Sequence, residues 1–334
     1  MKTKSHNHWL SAFAFACTLG ISIPALGQQL LLQTGFEQNS KVVPKDDATL
    51  KMGITGIDYS VPAPNNWASP HFKFWLYGMR WDKGRYAAQI VPEPGKPSNN
   101  ILKFYLTEPS SDRIRMQGDF QFPIGTRELS YSVRVFIPEN MNALKNYPGP
   151  INWFTIGEYW SGPQQVADDV CSRVTIGIGK STASPSNDLY FHAYMKNYTK
   201  TGSANTVWGS TSDLNWAGPP TAVPIGKWFT LEVYLKEGNK TTGKFYAAMT
   251  PDGGAKKVLF DVTNFTHNTA EANPNGIDGW VSFMKLYTSD EIGTYMQKHG
   301  YLQMYWDDLK VWFGKLPGPS MLAAPSDLRV VLPR

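Results

Sequence analysis

Three short stretches carry residue types that can move protons or hold a carboxylate. In "DLYFHAYMKN", residues 188–197, strand alternation puts Tyr190, His192, Tyr194 and Lys196 on one face and Phe191, Ala193 and Met195 on the other. An imidazole suits proton transfer near neutral pH, and a phenol flanked by a cation can serve as acid or base. In "DRIRMQ" the same alternation groups Arg113, Arg115 and Gln117. Guanidinium forks match the two oxygens of a carboxylate. "FMKLYTS" adds Lys285 and Tyr287 as a further cation–phenol pair. A histidine on the polar face of a strand is ordinarily just solvated, so the elements that position these groups must decide.

Those elements are predicted to be strands. "RELSYSVRVFIPE" alternates Leu129, Tyr131, Val133, Val135 and Ile137 against Ser130, Ser132 and Arg134. "KWFTLEVYLKEG" does the same with Phe229, Leu231, Val233 and Leu235. Further candidates are "ILKFYLT", "NWFTIGEYW", "VTIGIGK", "GKFYAAMT", "KKVLFDVT", "WVSFMKLYT" and "YLQMYWDDLKVWF". Gly-bearing loops such as "EGNKTTGK" and "TPDGGAKK" separate them, and only "SDEIGTYMQKHG" reads as helical. Many short strands at this spacing predict an all-β, two-sheet antiparallel sandwich of the jelly-roll kind.

The start of the chain has the layout of an export signal. Lys2 and Lys4 precede the apolar run "WLSAFAFACTLGISIPA", and "ALG" offers small-residue cleavage after Gly27. The run is too short for a spanning helix. The expected organisation is a signal peptide over 1–27, one domain over 28–316 and a Pro-rich tail over 317–334, in a secreted or periplasmic, bacterial protein. Loss of Lys2 and Lys4 takes the formal charge from +5 to about +3, which gives no basis for nucleic-acid binding. Cys171 alone remains after Cys17 is removed, so a large apolar core must stabilise the domain without a disulfide. The 12 Trp and 16 Tyr suit stacking on sugar rings, as well as a β core.

The segment "PIGKWFTLEVYLKEGNKTTGKFYAAMTPDG" resembles the paired strands of concanavalin-like jelly-roll domains. "LLQTGFE" and "YLQMYWDDLKVWF" look like that fold's first and last strands, lying side by side, so the resemblance spans about residues 30–314. The order "FE", "GRYAAQIV", "DRIRMQGDF", "FIPEN", "INWFTIGEYW" is similar to polysaccharide lyases of the heparin lyase and glucuronan lyase type. Their late-strand Lys-x-Gly-x-Tyr pattern is absent, and Lys285 and Tyr287 stand nearest to it.

The resemblance implies β-elimination on an acidic, uronic-acid-containing glycan. Such a reaction needs a base beside the carboxylate, an acid for the leaving oxygen, and donors that hold the carboxylate. His192 or Tyr194 would be base or acid, Arg113 the clamp and Tyr287 a further catalytic phenol. Arg115, Gln117, Glu158, Trp160, Tyr190, Lys196 and Lys285 would contact substrate. The partner is then a polysaccharide, with no organic cofactor and a monomer expected. Concanavalin-like domains also imply a structural calcium, here at Glu37, Asp307 and Asp308. Two alternatives stay open: a non-catalytic carbohydrate-binding protein, and a glycoside hydrolase using Glu158. Aromatic neighbours would raise the Glu158 carboxyl by desolvation, although alternation with Phe154, Ile156 and Trp160 gives it no second carboxylate.

Overall fold

The computed structural model describes residues 29–37, 39–43, 51–55, 73–78, 86–107, 114–122, 125–161, 171–180, 188–198, 204–209, 221–271, 276–277 and 281–315. The expected signal peptide, the expected tail and Arg113 lie outside them. Among the described residues the strands are β1 (Gln29–Thr34), β2 (Lys41–Val42), β3 (Lys51–Met52), β4 (Ile54–Thr55), β5 (Lys73–Gly78) and β6 (Tyr86–Glu93). There follow β7 (Lys96–Leu106), β8 (Ile114–Gln121), β9 (Glu128–Phe136), β10 (Phe154–Ser161), β11 (Cys171–Gly179) and β12 (Tyr190–Tyr198). The last six are β13 (Ala204–Gly209), β14 (Trp228–Lys236), β15 (Lys244–Pro251), β16 (Lys257–Thr263), β17 (Val281–Thr288) and β18 (Leu302–Phe313).

Two antiparallel sheets of eight strands make the sandwich. The first runs β16-β15-β14-β9-β18-β7-β6, with β1 also paired to β18. The second runs β13-β12-β11-β10-β17-β8-β5-β3. The chain's first and last strands do lie side by side, from Gln29 opposite Phe313 to Thr34 opposite Leu309. The helix expected from "SDEIGTYMQKHG" forms as α1 (Asp290–Gln297), and it carries the chain from β17 in one sheet to β18 in the other. Asp290 and Glu291 in its first turn complement the helix dipole. Both Gly-bearing loops form the predicted hairpins β14–β15 and β15–β16, the second using Gly253 at φ +70°.

Period-two alternation explains the core. Val133, Val135, Leu231, Val233 and Phe245 point inward from the first sheet; Ile156, Ile176, Phe191, Ala193 and Met195 meet them from the second. Aromatic contacts bridge the layers, with Tyr131 stacked on Phe283 at 4.3 Å and Phe191 edge-on to Phe229 at 5.7 Å. Each fully buried large apolar side chain contributes about 1.5–3 kcal/mol. Once these residues face inward, the other face of the second sheet is left with the polar set.

Candidate functional site

The polar set falls into rows because β12, β11, β10, β17 and β8 pair in succession, with register shifts in β10 and β17. One row reads His192, Gly177, Thr155, Tyr287, Arg115. The next reads Tyr194, Thr175, Glu158, Ser282, Asp119. A third begins Lys196, Arg173, Trp160, and Lys285 pairs with Gln117 between the first two rows. The face therefore gathers nearly every residue expected from sequence, from strands far apart in the chain. His192 and Tyr287 stand three strand spacings apart, roughly 14 Å along the sheet, so they share a row without touching.

This face is not simply wet. Tyr190, His192, Tyr194, Gln117, Glu158, Lys285 and Tyr287 are all buried, while Arg115, Trp160 and Lys196 are half-buried. At its centre Lys285 donates to Glu158 Oε1, and Arg173 Nη1 lies 3.8 Å from Glu158 Oε2. Arg173 Nη2 also donates to the Tyr194 hydroxyl at 3.3 Å. Its guanidinium sits 5.1 Å from the Trp160 ring and 5.4 Å from that of Tyr198. Arg115 and Lys285 flank Tyr287 at 5.0 and 4.9 Å from its ring centre. Lys196 stands 5.0 Å from the Tyr194 ring.

Burial and charge set the ionisation states. Burial pushes the His192 imidazole down to about 4, partly offset by a hydrogen bond to the Ile178 backbone. The ring is neutral at neutral pH. Burial also brings Lys285 down to about 8, against the pull of Glu158. Desolvation alone would raise Glu158, but Lys285 and then Arg173 hold its carboxyl below the ordinary value. That corrects the expectation of a raised Glu158: its strongest neighbours are cations, not aromatics. Asp119 moves the other way, raised by burial with Lys285 opposing.

Two β-bulges rearrange the alternation. The shift between Thr155 and Gly157 turns Glu158 away from Phe154 and Ile156, which stay in the core. A second shift between Ser282 and Met284 brings Lys285 toward Glu158. Glu158 also has a carboxylate in its own row, Asp119, two strands away. Gln117 was expected to contact substrate. Its amide nitrogen instead donates to both oxygens of Asp119, at 2.7 and 2.8 Å.

Arg173, Asp119, Thr175 and Ser282 were missed. Arg173 and Thr175 alternate with Val174 and Ile176 in "CSRVTIGIG", and an arginine in so apolar a strand was the available signal. Asp119 continues the alternation Arg113, Arg115, Gln117 by one step.

Five buried polar atoms on this face have no hydrogen-bond partner among the described residues: His192 Nε2, Thr175 Oγ1, Glu158 Oε2, Arg173 Nε and Gln117 Oε1. Buried polar groups are ordinarily paired, so such a concentration marks a surface built to bind something polar. Gly177 keeps space for the imidazole, since a Cβ there would come within 2.6 Å of His192 Nε2.

The expected calcium residues lie at the first sheet. A Cβ on Gly35 would be 3.5 Å from Glu37 Cγ, 3.7 Å from Asp308 Oδ1 and 3.8 Å from Asp307 Oδ1. Asp308 has φ +47° beside a register shift, so the two aspartates converge instead of pointing apart as simple alternation predicts. Glu37 accepts the Asn100 N–H at 3.1 Å, and Asp307 accepts from Asn99 at 2.9 Å and from Arg134 at 3.4 Å. Burial, then Asp308, pushes the Asp307 carboxyl up to about 7. Among the described residues no three carboxylate, imidazole or thiol groups stand close enough to hold a metal ion.

No protein-family model matches this sequence, and no curated protein does. Several solved structures are similar to it. Alginate lyase Aly36B is similar at a TM-score of 0.42 and 12% identity, over 84% of this chain and 98% of that one. An endo-β-1,4-glucuronan lyase from the fungus Trichoderma reesei gives 0.40 and 14%, over 72% and 90%. The exoplasmic/lumenal domain of VIP36, bound to Ca2+ and Man3GlcNAc, gives 0.34 and 11%, over 75% and 86%. Strand order, pairing and the two-layer core make the chain an all-β, two-sheet antiparallel sandwich of the jelly-roll kind.

Proposed function

We propose that this protein is an exported polysaccharide lyase that cleaves an acidic, uronic-acid-containing glycan by β-elimination at the second sheet. The cluster of unpartnered buried polar atoms carries the proposal. It is supported by charge: Arg115, Arg173, Lys196 and Lys285 share the face with only Glu158 and Asp119 among the described residues. An anionic sugar suits that balance.

His192 is the base in this proposal. Its neutral ring keeps Nε2 as an unpartnered acceptor, while the other nitrogen is tied to the Ile178 backbone. Tyr194 is the acid. Its oxygen accepts from Arg173, which leaves its own O–H to donate elsewhere, and the two rings lie 5.8 Å apart. His192 takes the proton beside the sugar carboxylate; the electron pair forms the C=C bond as the C–O bond breaks. Tyr194 protonates the departing oxygen. Arg173 and Lys196 hold the carboxylate, where one well-placed donor is worth roughly 3–4 kcal/mol. Arg113 keeps its proposed role as clamp on sequence grounds alone.

A second reading, glycan binding without catalysis, rests on Trp160 and Tyr198, half-buried rings 5.2 Å apart beside Arg173. The hydrolase reading loses its proton donor, because Lys285 and Arg173 keep Glu158 ionised. Incubation with alginate, glucuronan, heparin and chondroitin separates these. Rising ultraviolet absorbance with one of them, lost in His192→Ala and Tyr194→Phe, is expected. Full activity in both variants would end the site assignment. New reducing ends without absorbance would favour hydrolysis, and gel retardation without either would favour binding alone.

We extend the proposal to the calcium ion that the resemblance implies at Glu37, Asp307 and Asp308. These carboxylates do not by themselves form a three-group cluster, so loop carbonyls and water would have to complete its shell. An oxygen-only donor set suits this hard cation, and burial, then the Asp308 carboxylate, raises Asp307 despite its contact with Arg134. Calcium added to chelator-stripped protein should raise the melting temperature. An unchanged melting curve would leave Arg134 as the counter-charge.

A further inference from the structure

The outer face of the first sheet carries a second row of unusual composition. Trp228 on β14, Phe136 on β9, Tyr305 on β18 and Lys103 on β7 pair in succession. Their chain neighbours Phe229, Val135, Trp306 and Leu102 are in the core, so this row faces away from it. The rings are linked: Trp228 to Phe136 at 5.3 Å, and Phe136 to Tyr305 at 5.8 Å. Lys103 ends the row inside three phenol rings, 5.2 Å from Tyr105, 5.4 Å from Tyr301 and 5.7 Å from Tyr305. All six side chains remain half-buried.

Two features point to a ligand. Lys103 donates to the Tyr301 hydroxyl at 3.2 Å, yet among the described residues it has no ion-pair partner. Its charge stands uncompensated in an aromatic setting. A polar rim also follows the row, with Tyr305 donating to Gln303 at 3.1 Å and Gln303 to Asn140 at 3.1 Å. Flat rings with hydroxyl and amide edges match the apolar faces and hydroxyl edges of sugars. Trp228 to Lys103 spans three strand spacings, roughly 14 Å, enough for more than one sugar unit.

We infer that this row is a second, non-catalytic binding surface for an acidic polysaccharide chain, on the sheet opposite the proposed cleavage site. The kind of polymer rests on the proposed function; the surface itself does not require cleavage. Tyr305 and the face of Trp228 that the Arg134 guanidinium, 4.4 Å from its ring centre, does not cover stack on sugar faces, and Lys103 pairs with a uronate carboxylate. Such a surface would hold a long chain near the enzyme, so it matters for polymers and not for short oligosaccharides.

Native gels containing alginate or polyglucuronate provide the test, with wild type, Trp228→Ala and Lys103→Gln run in parallel. The wild type should be retarded by at least one polymer, with that retardation reduced severalfold in Trp228→Ala. Lys103→Gln should reduce it too, more at low salt than at high salt. Melting curves monitor the fold, and Lys103→Gln keeps the side-chain volume if Trp228→Ala does not fold. Absorbance-detected cleavage of a short oligosaccharide should be unchanged in both. If wild type produces no absorbance but the variants lose retardation, the surface stands and the lyase proposal falls. Wild-type retardation in both variants, or no retardation of wild type by either polymer, overturns the surface.

Discussion

Arg173 donates to the Tyr194 hydroxyl across 3.3 Å, from the strand next to it, while its other terminal nitrogen faces Glu158 at 3.8 Å. One guanidinium thus couples the proposed acid to the buried ion pair at the centre of the face. Arg173→Ala is expected to lower kcat/KM by roughly 10²–10³-fold. Arg173→Lys should recover little, because a single ammonium cannot reach both partners in fork geometry. Steady-state absorbance kinetics check both; an Arg173→Ala enzyme within twofold of wild type would remove Arg173 from the mechanism.

The Lys285–Glu158 pair is a folding element as well. Both groups are buried, so deleting one charge strands the other in a low-dielectric setting. Glu158→Gln should cost about 3–5 kcal/mol, measured by urea unfolding. The double variant Glu158→Leu with Lys285→Met should regain most of that stability without regaining activity. Additive losses in the double variant would show that the two groups do not act as a pair.

Stability should fall in acid through His192. Its folded-state pKa, about 4, lies below the unfolded value of 6.5, so between them the unfolded chain binds more protons. Stability therefore rises with pH from about 4 to 6.5 and is lost as pH falls through that window. The contribution is on the order of 3 kcal/mol. Melting temperatures from pH 4 to 7 should show a shallower slope in His192→Asn; an identical slope would place the acid sensitivity elsewhere.

Gly177→Ala tests whether the imidazole's position is held sterically. The added methyl would meet Phe154 O at 2.5 Å and His192 Nε2 at 2.6 Å. A loss of about 1–3 kcal/mol is expected, with a larger proportional loss of activity as His192 is displaced. Wild-type activity in a stably folded Gly177→Ala variant would mean that the ring's placement is not critical.

Much of this was legible locally. Alternation placed His192, Tyr194 and Lys196 on one face and Phe191, Ala193 and Met195 in the core, as found. It failed at Glu158, because a bulge between Thr155 and Gly157 costs one residue of register and leaves no clear trace in residue type. It failed again at Asp307 and Asp308, where a left-handed backbone at Asp308 makes both carboxylates converge near Gly35. Arg173 was visible as a charge in an apolar strand, but nothing nearby in the chain says what it meets.

By itself the amino-acid sequence determined most of the long strands, the turns between them, the all-β class and the faces of the strands that carry no bulge, because period-two burial is a short-range property. Only the tertiary structure decided that β10 lies between β11 and β17, and so that Arg173 and Lys285 close on Glu158 from opposite sides. Strand partnership depends on contacts across the whole chain, and the charge state of a buried group depends on the neighbours that partnership supplies. The neutral imidazole of His192 and the ionised carboxylate of Glu158 belong to the fold in that sense, since both residue types titrate in the ordinary way in an unfolded chain.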